Sequence, residues 1–160
     1  VPIKDNDTSA IYTHLGQALD ISQETDACGM LEMVALTMAQ IAGPFAFVYY
    51  DGRSDCIFMG RDFLGRRSLV YQTTPRGDIL LCSVPDRGLG GVWTEVEADG
   101  IYCVDLRSHS MPEELHIKGQ VRWGGFRVYK KAYVHKDASD LACSSVGPIV
   151  PKGKRRLTSR

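Results

Sequence analysis

The residues best placed to do chemistry in this chain are crowded into one stretch, Gly60–Leu69, "GRDFLGRRSL". It carries Arg61, Asp62, Arg66 and Arg67 around two glycines, between apolar runs. Such a string could cradle a phosphate, contact a nucleic acid, line an active site, or close a tight turn. A phosphate cradle is excluded by spacing, because no Lys-Ser/Thr pair opens a helix behind Gly65. A turn explains the residues better. Arg61 and Asp62 end an apolar run, Gly65 permits a left-handed backbone, and an Arg–Asp pair can satisfy backbone and side-chain groups together.

Asp7 is the second candidate. It stands in "NDTSAIYTHL", residues 6–15, where Ile11, Leu15, Ala18 and Leu19 follow at helical spacing. A carboxylate there caps free backbone N–H groups at the positive end of the helix dipole. One oxygen can do so while the other holds an ammonium group.

Other chemistries fail on spacing. His14, His109, His116 and His135 form no HExxH or HxH pattern, so no metal site is expected. "GLGG" at 88–91 lacks the third glycine of a dinucleotide fingerprint and no helix pattern follows it. No GxSxG elbow is present. The five cysteines, Cys28, Cys56, Cys82, Cys103 and Cys143, are odd in number and contain no CxxC pair. They are expected as reduced, structural thiols in a reducing compartment, the cytoplasm. A net charge of +0 argues against general affinity for nucleic acid or an anionic membrane, and no apolar run is long enough to span a bilayer. The basic run Lys152–Arg156 is expected to be a solvated tail.

These residues need a scaffold. The 160 residues suit one domain. The pattern predicts two amphipathic helices. One starts near Asp7; the other runs through Met30, Leu31, Val34, Met38 and Ile41 and stops at Gly43-Pro44. A meander of four antiparallel strands is predicted next: "FAFVYY" (45–50), "CIFMG" (56–60), "SLVYQ" (68–72) and "ILLCSV" (79–84). "VWTEVE" (92–97) and "GIYCVDL" (100–106) follow as strands, and 121–134 has room for one or two more. Residues 107–160 are otherwise unassigned and expected to be partly disordered.

The string "GPFAFVYYD…IFMGRDFLGRRSLVY" resembles the glutaminase domain of glutamine-dependent asparagine synthetases, and most of all the asparagine synthetase domain-containing subgroup. The matching positions are Gly43, Phe45, Ala46, Phe47, Asp51, Arg61, Asp62, Leu64, Gly65, Arg66 and Leu69, with Ser68 where proline is commoner. "EVEADGIYCVDL" (95–106) and "NDTSAIYTHL" match further segments in the same order. The resemblance covers about residues 4–106, so 1–106 is read as a partial glutamine amidotransferase domain.

The resemblance implies an α+β fold: part of a four-layer αββα N-terminal-nucleophile hydrolase sandwich with antiparallel sheets. It implies glutamine as substrate, with Asp7 holding its ammonium, and Arg61, Asp62 and Gly65 as structural residues near the site. In that family the nucleophile is an N-terminal cysteine whose own amine serves as base. This chain opens on Val1, so it is expected to be processed or a fragment, to contain no catalytic residue, and to be inactive by itself. ATP and magnesium would serve only a synthetase domain, in cis or on a partner chain. The alternative expectation is a non-catalytic remnant acting as a binding or scaffold module.

Overall fold

The computed structural model describes residues 7–21, 26–74, 76–86, 88, 90–108, 122–123 and 126–133. Two helices come first, α1 (Asp7–Ile21) and α2 (Ala27–Met38). Asp26 caps α2, its Oδ1 accepting from the Gly29 N–H at 2.9 Å, which satisfies one of the unpaired donors of the first turn. α1 begins at Asp7, where the sequence pattern starts the first helix.

Among the described residues eight strands follow: β1 (Ala46–Asp51), β2 (Cys56–Arg61), β3 (Val70–Thr73), β4 (Ile79–Cys82), β5 (Thr94–Glu95), β6 (Gly100–Asp105), β7 (Arg122–Trp123) and β8 (Phe126–Ala132). They form a five-stranded sheet in the order β1-β2-β6-β8-β7 and a three-stranded sheet in the order β4-β3-β5. All pairings are antiparallel. The class is α+β, as expected, and both sheets are antiparallel, as expected. Among the described residues the layers are three: helices, large sheet, small sheet.

The alternation of side chains along β2 and β6 builds the layers. Cys56, Phe58, Ile101 and Cys103 point to the helices, where Leu15, Leu31, Val34 and Met38 close over them. Met59, Tyr102 and Val104 point the other way, onto Leu69 and Val96 of the small-sheet side. Both faces of β6 are therefore buried, which explains its unbroken apolar run. Phe58 is fully buried between these layers, a contribution of about 1.5–3 kcal/mol from its transfer out of water.

The four-strand meander is corrected. β1 and β2 form a hairpin, and so do β3 and β4, but in different sheets. The second edge of β2 pairs with β6, with Phe58 opposite Cys103. β6 can bury both faces beside β2, whereas the short β3 carries the partly polar pattern of a smaller sheet. The stretch after Arg61 is thus a crossover between sheets rather than a hairpin turn. Its neighbour turns behave as read: Asp51 accepts from Ser54 N–H at 3.2 Å and Ser54 Oγ at 2.6 Å to close 51–55. Gly77, with φ 92°, closes the turn before β4.

The stretch 121–134 supplies β7 and β8, and β8 pairs with β6 over its length. His109, His116, His135, Cys143 and the basic run 152–156 lie outside the described residues. No described helix is long and apolar enough to cross a membrane.

Candidate functional site

Arg61 and Asp62 are consecutive, so an extended backbone sends their side chains to opposite faces. They do not bond each other. Arg61 turns toward the small sheet. Its Nε donates to the Arg67 carbonyl at 2.7 Å, and its Nη1 donates to Glu95 Oε1 at 2.6 Å and the Val96 carbonyl at 3.0 Å. Its Nη2 donates to the Gly65 carbonyl. One guanidinium thus fastens the crossover to the strand end at Glu95. It is almost fully buried, while the Glu95 carboxylate is mostly exposed.

Asp62 turns toward the helices. Its carboxylate accepts from the N–H groups of Phe45 (3.2 Å), Leu64 (3.1 Å) and Arg66 (3.2 Å), and from Arg66 Nε at 3.0 Å. Its own N–H donates to the Phe45 carbonyl at 2.9 Å, which ties the crossover to the start of β1. Burial works against the charge of Asp62. The Arg66 side chain and the Leu64 and Phe45 N–H groups outweigh that and hold the carboxyl below its ordinary value. A carboxyl depressed in the folded state contributes stability in full above its unfolded value of about 3.9 and loses it as pH falls through the folded value. Acid unfolding should therefore steepen below about pH 4. Asp62→Asn should flatten that limb in melts recorded from pH 7 downward; an unchanged limb would assign the acid sensitivity elsewhere.

Gly65 makes the turn possible. Its φ is 61°, and a Cβ there would meet Arg61 Nη2 at 2.9 Å and Ala98 Cβ at 3.0 Å. Both backbone conformation and space select glycine.

The crossover borders a cleft of about 470 Å³, lined by Met38, Ile41, Phe45, Leu64, Arg66 and Tyr133 among others. Tyr133 follows β8 and stands edge-on to Phe63, with ring centroids 6.4 Å apart. Its hydroxyl donates to the Arg61 carbonyl. Burial, then the charges of Asp62 and Asp99, push its phenol up to about 12, so it stays a proton donor at neutral pH. Sequence reasoning missed Tyr133, Glu95 and the cleft. No local signal marks a residue 71 positions from Asp62.

Asp7 opens α1; its side chain is not described. Its end of the molecule is fixed by the helix. The Tyr12 ring lies 5.7 Å from that of Tyr49, and Asp20 pairs with Arg53 in the β1–β2 turn. α1 therefore runs from the Arg61 end of the sheet toward that turn, and its start lies at the crossover end.

Among the described residues the Cys56 thiol, held below its ordinary value first by its hydrogen bond with Cys103, is fully buried. Cys28, Cys56, Cys82 and Cys103 are not in disulfides. The Cys56 partner and burial push the Cys103 thiol up, which keeps it protonated. Gly91 sits against Gln72, whose amide donates to the Gly90 carbonyl at 2.7 Å, so these two glycines pack on β3. Among the described residues no group of His, Cys, Asp and Glu is placed to hold a metal ion.

The chain is 33% identical over 162 aligned residues to asparagine synthetase domain-containing protein 1 of Mus musculus, covering 99% of this chain and 23% of that protein. It is 33% identical to the Homo sapiens protein of the same name, over 68% of this chain and 16% of that one. An asparagine synthetase domain-containing protein of Saccharomyces cerevisiae is 27% identical over 66% of this chain and 18% of its own length. The chain thus spans less than a quarter of the length of these relatives, and the mouse alignment extends the likeness past residue 106. No solved structure gives a significant match. The sequence profile of the Glutamine amidotransferase domain matches residues 6–87, from the start of α1 through both hairpins and the Arg61–Gly65 crossover, and on that match the chain belongs to the glutamine amidotransferase domain family.

Proposed function

We propose that this chain is part of a glutamine-hydrolysing domain that supplies ammonia for asparagine formation by a longer protein. The family match over α1 to β4 carries the reading. The antiparallel two-sheet architecture under a helical layer supports it. In this reading Asp7 pairs with the α-ammonium of glutamine, at the positive end of α1, where a carboxylate is held in its charged form. The crossover locked by Arg61 and Asp62 keeps the start of β1 and the end of β2 rigid at the same end of the molecule. In this reading the chemistry uses a terminal cysteine whose amine acts as base, so none of the internal cysteines, Cys28, Cys56, Cys82, Cys103 and Cys143, is assigned as the nucleophile. ATP and magnesium belong to a synthetase part of the longer protein, in cis or on a partner chain, in the cytoplasm.

Two measurements test it. The 160-residue polypeptide expressed alone should release no ammonia from glutamine; saturable turnover by it would overturn the assignment of the nucleophile. In the full-length protein, Asp7→Asn should raise KM for glutamine by roughly tenfold or more while ammonia-driven synthesis persists, since a lost charge pair costs about 1.5–3 kcal/mol. An unchanged KM would remove Asp7 from the site.

A second reading, a non-catalytic scaffold, draws on the outer edge of β1. Among the described residues β1 has one neighbour only, and Val48 and Tyr50 are exposed beside it. An apolar edge of this kind accepts another strand. A full-length protein that hydrolyses no glutamine yet retains a bound partner would favour it.

A further inference from the structure

The cleft beside the crossover sets apolar side chains beside one half-exposed guanidinium. Most of the side chains around it are apolar: Met38 at the end of α2, Ile41 just beyond it, Phe45 before β1, Leu64 in the crossover, and the ring of Tyr133. A volume of about 470 Å³ lies in the range of small-molecule sites, which pair an apolar lining with a few fixed polar groups. The polar groups here can be accounted for one by one.

Asp62 is spent. Both its oxygens already accept, from three backbone N–H groups and from Arg66 Nε. It has no lone pair placed for an ammonium group, and it is buried. Tyr133 is also spent as a donor, its proton lying on the Arg61 carbonyl. Arg66 is different. Asp62 holds it through Nε alone, its side chain is half exposed, and its two terminal nitrogens have no partner among the described residues. A guanidinium fixed at one nitrogen and open at the other two is pre-organised to take a planar carboxylate through two parallel hydrogen bonds.

We infer that this cleft is a binding site for a small organic carboxylate with a flat or branched apolar body and no ammonium group, its carboxylate on Arg66 and its body against Ile41, Phe45 and Tyr133. The inference stands apart from the glutaminase reading. An α-amino acid is disfavoured here, because its ammonium group would enter an apolar cleft whose one carboxylate is already saturated. A single open guanidinium matches a monoanion better than a phosphate ester, which calls for more donors.

The test uses the 160-residue chain with carbon-13 labels on Met, Ile and Leu methyl groups. 3-Phenylpropionate is the probe; 3-phenylpropanamide lacks its charge, and L-phenylalanine adds an ammonium group. The acid should give saturable shifts of the Met38, Ile41 and Leu64 methyl signals. The amide and the amino acid should bind roughly tenfold more weakly or not at all, the loss expected for one charge-assisted contact. Arg66→Gln should weaken the acid by a similar factor, and Ile41→Trp, which fills the cleft, should abolish the shifts with the amide spectrum kept. Absence of saturable shifts at millimolar acid, or equal binding of acid and amide, would overturn the site. Equal binding of acid and amino acid, or undiminished binding to folded Arg66→Gln, would do the same. Should Arg66→Gln not fold, the comparison of acid with amide on the unaltered chain decides.

Discussion

Arg61→Met should lower the unfolding free energy by about 3–5 kcal/mol, the cost of breaking a buried charged network from one side. The guanidinium gives hydrogen bonds to three carbonyls and one carboxylate. Methionine fills similar space but donates nothing, so the carbonyls of Gly65, Arg67 and Val96 lose their partner in a region water reaches poorly. Glu95 adds little to the loss, because its carboxylate is mostly exposed and regains water. A urea melt of the 160-residue chain measures the change. The double variant Arg61→Met with Glu95→Gln should be almost as unstable as the single one. If Arg61→Met melts within about 1 kcal/mol of the parent, the carbonyl contacts do not hold the two sheets together, and the role given to the crossover fails.

Gly65→Val should be nearly as damaging, and for a separate reason. A β-branched residue at φ 61° is strained by its own backbone, of order 1–3 kcal/mol. The added Cβ also crowds the Arg61 guanidinium and Ala98. The guanidinium cannot swing aside without losing its carbonyls, and so the two changes are coupled: the double variant Gly65→Val with Arg61→Met should lose less than the sum. Gly65→Ala, which keeps the backbone strain but is smaller than valine, should fall between parent and valine variant. Equal melting points for all three proteins would show that the turn tolerates side chains and that glycine serves another purpose.

Much of the local structure was legible. The start of the first helix at Asp7, the spacing of Met30, Leu31, Val34 and Met38, and the turn at 51–55 each act within a few residues and are found where the pattern places them; the second helix, expected to run through Ile41 to Gly43-Pro44, instead ends at Met38. The conformation of Gly65 is of the same kind. The resemblance of the Arg61–Leu69 string agrees with the family match over residues 6–87.

The partners of these residues were not legible. Arg61 and Asp62 looked like a pair because they are adjacent, yet a strand directs neighbours to opposite faces, so one reaches Glu95 and the other Phe45. The meander failed likewise: four apolar runs joined by turns are equally consistent with one sheet or two.

By itself the amino-acid order determined the two helices and the main strands, where glycine must stand at Gly65, and to which family the chain is akin, because those follow from short-range sterics, periodicity and motif. Only the tertiary structure decided that β2 takes β6 as its neighbour, that the charged string bridges two sheets, and that Tyr133 closes a cleft beside Arg66. Those outcomes depend on which surfaces meet across 34 to 72 positions of chain, where the free energy of burial, and not any local preference, selects the contact.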